Sequence, residues 1–307
     1  MFSHYCVKTF GIENVSREFL FAGSSLVVFF SLQGFLVIPS ALRNNLGKFA
    51  KKRILRLYPS YTLSLIFTIS VVCLAGFMPN LLETLLFFTR ELLFFDGIDF
   101  HGVSNGAIWA IFIQLQVYIV VFFTAKRIVR MNSMKLWTLF LLFLMSLNYM
   151  DAYILSYMDK VGLHYVGAVY THLFIRYAYF FWIGMFAYRF YDRWIPILYK
   201  YAYLLLAIHI VWHMDIISLP KGYCYTDPIT VITASLAALG VAYRIGSIKL
   251  KYEISYDVFV WHMPVYTALK LFVQDEGWPF IIFCIIITIL LSFMSNFFTR
   301  KIVSLSN

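Results

Sequence analysis

With 307 residues, 62% of them hydrophobic, 20% aromatic and only 13% charged, the chain lacks the polar surface of a soluble globular domain, in which about 25% of residues are charged. The composition predicts an all-α, polytopic transmembrane helix bundle. A formal charge of +10 would suit a nucleic-acid binder, but the cations sit between apolar segments, so the partner they imply is the lipid bilayer and no nucleic acid.

In chain order, residues 1–10 open with MFSHYC and precede any long apolar run. No basic n-region with a continuous apolar core comes before the first long span, so no signal peptide is predicted. Crossing a bilayer takes about 20 apolar residues. Nine spans are predicted, at roughly 20–42, 57–78, 106–125, 135–150, 167–188, 201–217, 228–243, 254–273 and 278–298. Between the first two, 43–56 carries Arg43, Lys48, Lys51, Lys52, Arg53 and Arg56 and no acid, which predicts a basic cytoplasmic loop. That charge has two readings: it fixes orientation, or it docks an anionic cytosolic ligand. Arg53 and Arg56 are three apart, and on a helix they would share a face and fork onto phosphate oxygens.

Segment 81–95, LLETLLFFTRELLFF, carries Glu83, Arg90 and Glu91. Those charges are costly in a span and predict an interfacial or re-entrant helix on the outer side. A polar, glycine-punctuated outer loop follows at 96–106. With 43–56 inside, the loops 126–135, 189–200 and 244–253 and the tail also fall inside, and together they hold eighteen of the twenty-five Lys and Arg. The expectation is a multi-pass protein of the plasma or inner membrane with a cytoplasmic C-terminus.

Burying a polar side chain in a span costs several kcal/mol unless it finds a partner or a water-filled cavity. Gln33, Gln114 and Gln116, the last two turns beyond Trp109, either bond between helices or line a site. His172, Arg176 and Tyr179 recur at i, i+4 and i+7, which predicts one shared helix face. Arg176 there holds an anionic group or pairs with a carbonyl. His209 and His213 have a spacing that binds zinc on a helix, yet no third ligand follows and the four cysteines, Cys6, Cys73, Cys224 and Cys284, show no metal pattern. No metal is predicted. Cys73 and Cys284 fall in apolar segments as small hydrophobes, and Cys6 with Cys224 is the pair a disulfide would join. His262 stands two residues before Pro264, where a proline opens the helix; it lines a site or is a satisfied bundle histidine.

FFSLQGFL followed by FAKKRILRLYPSY resembles the second-helix and cytoplasmic-loop signature of the acyltransferase 3 family, integral membrane enzymes that O-acylate sugars and other cell-envelope molecules. WAIFIQLQVY, with Trp109, Gln116 and Tyr118, resembles that family's Trp-then-Gln helix, and ISYDVFVWHMPV, with His262, resembles its late Ser-Tyr…His-x-Pro segment. The pieces follow the family's order over nearly the whole chain. In that family a first transmembrane helix carries an Arg and, further along, a His proposed as catalytic base. MFSHYC resembles only its last turn, so 1–10 would be a remnant in which His4 matches the His and the Arg has no counterpart. The start then lies upstream, or the chain is a truncated, inactive relic. The sequence departs also at Gln33, where the family often has Ser, and at Gln114, where many members have Glu.

The resemblance implies a single acyltransferase-like domain over 1–307. It would move an acyl group, most simply acetyl, from cytosolic acyl-CoA as co-substrate, with no other cofactor, to a hydroxyl of a cell-envelope or lipid-linked glycan. Lys52, Arg53 and Arg56 would hold the CoA phosphates, and His4 would take the hydroxyl proton. Gln33, Trp109, Gln116, Tyr118, Arg176 and His262 would line the site. No Ser or Cys elbow motif is visible, which favours direct transfer over an acyl-enzyme. The rival class is a transporter or flippase for a lipid-linked sugar, which would show paired inverted repeats with broken helices.

Overall fold

The computed structural model describes residues 1–11, 22–93, 100–106, 108–214, 227–246, 252–273 and 277–306. Outside them lie Cys224, Lys249, Lys251, Asn307 and 96–99 of the expected outer loop. The described residues form helices α1 (Phe2–Phe10), α2 (Ala22–Arg43), α3 (Leu46–Leu74), α4 (Leu81–Leu92), α5 (Trp109–Arg130), α6 (Met134–Tyr149), α7 (Asp151–Lys160), α8 (His164–Thr171), α9 (Ala178–Arg189), α10 (Tyr191–His213), α11 (Pro228–Ile245), α12 (Ser255–Lys270) and α13 (Trp278–Ser306). Among them there is no strand, only an isolated bridge between Phe100 and Val103. Helices are the form an apolar chain takes in lipid, because each satisfies its own backbone donors and acceptors.

Among the described residues six helices are long and apolar enough to cross a membrane, or seven if Met134–Tyr149 and Tyr153–Lys160, bent by 42°, act as one. The polytopic all-α bundle stands, with fewer full-length spans than the expected nine. The segment 167–188 is broken: α8 stops at Thr171, Phe174–Tyr177 forms a 3-10 turn, and only then does α9 begin. The segment 254–273 becomes the 16-residue α12, shorter than the length a crossing needs. The expected loop at 43–56 is also corrected. α2 ends at Arg43, Asn44 Nδ2 donates to Ser40 O at 2.6 Å, and α3 starts at Leu46. Leu, Ala, Lys and Arg are strong helix formers, so Lys48 to Arg56 wind into the opening turns of α3.

The chain packs as two compact units. The first comprises Met1–Ser16, Leu46–Phe112 and Leu250–Asn307. Its α12 is buried from Val260 to Ala268, with Phe67 of α3 edge-on to Trp261 at 5.4 Å. Ser295 Oγ of α13 donates to Ser60 Oγ of α3 at 2.7 Å, and Asn296 Nδ2 donates to the buried carboxylate of Asp257 at 3.1 Å. Glu91 of α4 is buried, and Tyr61 OH donates to its Oε2 at 2.5 Å. α1 lays Tyr5 and Cys6 against Tyr266, Phe280, Ile281 and Cys284. Cys6 is a buried free thiol.

The second unit comprises Arg17–Asn45 and Ile113–Lys249. Its α2 and α9 meet backbone to backbone: a Cβ on Gly34 would overlap the Phe181 carbonyl oxygen, and one on Gly184 the Ser31 carbonyl oxygen. Ser31 Oγ donates to Phe180 O at 3.0 Å, and Ser235 Oγ lies 2.6 Å from it. Trp137 of α6 stacks on Trp182 of α9 at 4.2 Å.

Candidate active site

Two histidines 258 positions apart meet in the first unit, with His4 Nδ1 2.9 Å from His262 Nε2. His262 is 1% exposed; His4 is partly exposed. Their ring centroids are 5.1 Å apart at an interplanar angle of 18°. That separation is close to one hydrogen bond plus two ring radii, so the rings meet edge to edge in nearly one plane. The opposite nitrogen of His262, Nδ1, lies 2.7 Å from Phe259 O.

Both helices are held in register at this point. Pro264 has no N–H to offer the carbonyl one turn back, and Asn105 Nδ2 donates to that carbonyl, Val260 O, at 3.1 Å instead. Ser104 N donates to Thr267 Oγ1 at 3.2 Å, so the 100–106 loop is stitched along α12. On α1, Tyr5 OH donates to His262 O at 2.8 Å and accepts from Thr288 Oγ1 at 2.7 Å, beside the Tyr5–Tyr266 ring contact at 5.3 Å. Because Tyr5 adjoins His4, the tyrosine that anchors α1 also sets where the imidazole stands.

The basic turns of α3 belong to the same unit. Lys52 is exposed, the Arg53 guanidinium lies over the Phe49 ring at 5.1 Å, and Arg56 faces Glu253 at 3.8 Å with both side chains about half exposed. On a continuous helix Arg53 and Arg56 do share a face. Glu253 stands just ahead of α12, and His262 is seven residues past the first residue of that helix, about 10 Å along its axis.

The remaining expected site residues find the following places. Trp109 opens α5, partly exposed, in the first unit. In the second unit Tyr118 OH donates to Gln33 Oε1 at 2.9 Å and accepts from Gln114 Nε2, all three being buried. Gln116 clamps the break after α8, donating to His172 O at 2.7 Å and accepting from Phe174 N at 3.0 Å. That break takes His172, Arg176 and Tyr179 off a common helical face, which corrects the i, i+4, i+7 reading. Arg176 Nε donates to Asp151 Oδ1 at 2.8 Å and Nη2 to Oδ2 at 2.5 Å, a two-pronged pair with a 4% exposed carboxylate. His209 Nδ1 lies 3.1 Å from Thr233 Oγ1, and no group of three His, Cys, Asp or Glu side chains gathers as a metal site among the described residues.

A family model described as an acyltransferase domain, that of the acyltransferase 3 family, matches residues 1–296. The chain belongs to the acyltransferase 3 family. No curated protein and no solved structure gives a significant match. With its apolar helices, this acyltransferase 3 member is an integral membrane acyltransferase. Sequence reasoning about it missed Tyr5, Asn105, Asp151 and Glu253, each of which positions a named residue. Their partners stand from 25 positions away, for Asp151 and Arg176, to 257, for Tyr5 and His262, where motif spacing gives no signal. Only Pro264 gave a hint of Asn105, since a proline inside a buried helix leaves a carbonyl in need of a donor.

Proposed function

We propose that this acyltransferase moves an acyl group, most simply acetyl, from cytosolic acyl-CoA directly to a hydroxyl of a cell-envelope or lipid-linked glycan. The observation that carries the reading is the His4–His262 contact on a helix just ahead of which Glu253 faces Arg56. Lys52, Arg53 and Arg56 hold the CoA phosphates, the arginines as forks and the lysine as a point charge. The pantetheine arm, two amide units with their linkers, spans on the order of 15 Å when extended. That reach covers the interval of about 10 Å along α12. At the far end His4, a neutral imidazole with a lone pair to offer, takes the proton of the acceptor hydroxyl as its oxygen attacks the thioester carbonyl.

The test uses membranes containing the protein and acetyl-CoA radiolabelled in the acetyl group, and counts label in the lipid and glycan fractions. Label is expected to appear, and His4→Ala is expected to slow its appearance by roughly 10²–10⁴-fold with unchanged thermal stability. No label from the unaltered protein would sink the reaction, and an unchanged rate in His4→Ala would remove His4 from it.

A further inference from the structure

We propose that His262 is a positioning residue that fixes the tautomer of His4, leaving the lone pair on His4 Nε2. The inference rests on the reading of His4 as base. It starts from Phe259 O, 2.7 Å from His262 Nδ1. A carbonyl oxygen only accepts, so Nδ1 must carry the proton. In a neutral imidazole the other nitrogen is then an acceptor, which makes His262 Nε2 the acceptor of the 2.9 Å bond to His4 Nδ1. His4 therefore bears its proton on Nδ1, and its Nε2 is bare.

The alternative assignment reverses the chemistry. A protonated His262 would present Nε2–H to His4, push the His4 proton to Nε2 and disable the base. Burial opposes it: the ring is 1% exposed, and among the described residues its polar neighbours are the backbone carbonyls of Phe259 and Val258 and a second imidazole, none of which supplies the negative charge that would compensate a buried cation. The geometry is also hard to shift, because Asn105 caps the carbonyl that Pro264 frees and Tyr5 pins His262 O. The edge-to-edge rings place the shared proton on the line between the nitrogens.

In the transfer step the acceptor oxygen forms a bond to the thioester carbonyl carbon while its proton passes to His4 Nε2. The ring becomes an imidazolium, and its Nδ1–H bond to His262 Nε2 becomes charge-assisted and stronger. As the C–S bond breaks, the thiolate of CoA takes the proton from His4 Nε2, leaving ester, free thiol and a neutral His4. His262 gains and loses no proton. It acts as an orienting partner does behind a catalytic histidine, here with a neutral acceptor.

Kinetics with radiolabelled acetyl-CoA and membrane acceptor separate this role from plain packing. His262→Phe, which fills the space but cannot accept, is expected to lower kcat by roughly 10–100-fold with KM for acetyl-CoA unchanged. His262→Gln, whose amide oxygen can accept from His4 Nδ1–H, is expected to stay within a few-fold of the unaltered protein. A full kcat in His262→Phe, or a folded His262→Gln as impaired as His262→Phe, overturns the inference while a dead His4→Gln leaves the base intact. An active His4→Gln overturns both. Because His262→Phe could fail to fold, the unaltered protein supplies a second measurement: 15N-histidine NMR, assigned with His4→Gln, is expected to show His4 protonated on Nδ1 and bare on Nε2, and the opposite tautomer overturns the inference without any variant of His262.

Discussion

At Arg53 and Arg56, charge and shape make separate contributions that a conservative change can pull apart. Lysine preserves the charge that orients the helix end but cannot present a planar fork, nor lie flat over Phe49 as the Arg53 guanidinium does. Arg53→Lys and Arg56→Lys should therefore insert normally, yet bind CoA about ten times more weakly, as titration calorimetry on purified protein would read. Glu253→Gln should move the other way, since Arg56 is then relieved of a competing carboxylate. Unchanged CoA binding in both lysine variants would leave orientation as the only role of these cations. What was legible here was the residues themselves: His4, His262 and the basic run stood out by resemblance or by charge. Their immediate partners did not, because the contacts His4–His262, Tyr5–Thr288 and Asn105–Val260 each close over a hundred or more positions, and a one-dimensional pattern carries no term for such distances.

Among the elements, α2 and α9 owe their close approach to two glycines, a device common where lipid gives helices no hydrophobic reason to associate. Gly34→Ala and Gly184→Ala each drive a methyl into a backbone oxygen of the facing helix. Since neither oxygen can step aside without moving its helix, each change is expected to cost about 1–3 kcal/mol or more, visible as a lowered melting temperature in detergent. A melting temperature equal to that of the unaltered protein in both would mean that the helices do not meet there. Gly167→Ala serves as the control, because its nearest neighbours stand 3.9 Å from the new methyl. Helix content was legible because the apolar runs are long, but their ends and interruptions were not. The 43–56 stretch looks like a loop by charge alone, although helix propensity runs through it. The break at 172–177 depends on Gln116, an amide on another helix that offers the backbone a donor and an acceptor in place of its own. No composition window along 167–188 contains that residue.

On the scale of the whole molecule, composition settled the class, since a chain with so few charges must hide its apolar surface in lipid, while the sidedness rests on cations whose placement the helices make specific. α3 and α13 have 29 residues each, about 44 Å of helix, against a hydrocarbon core of about 30 Å. Each therefore overhangs the core by about 14 Å, between two and three turns. In α3 the surplus polar turns are the first ones, with Lys48, Lys51, Lys52, Arg53 and Arg56; in α13 they are the last, with Arg300 and Lys301. Ser60 bonds Ser295, and Ile54 and Tyr58 share a groove with Phe298 and Ile302, so the two helices run antiparallel with both basic ends on one side. By the bias of Lys and Arg toward the cytoplasm and the pull of anionic lipid, that side is expected to be the cell interior. A reporter inserted between Asn44 and Asn45 and a reporter fused after Asn307 are accordingly expected to give the same answer, cytoplasmic, in a paired set of enzyme-tag or impermeant-dye assays. Disagreement between the two would break the antiparallel pairing of α3 and α13. Agreement on the outer side would keep the pairing, reverse the sidedness, and move the basic turns away from any cytosolic CoA.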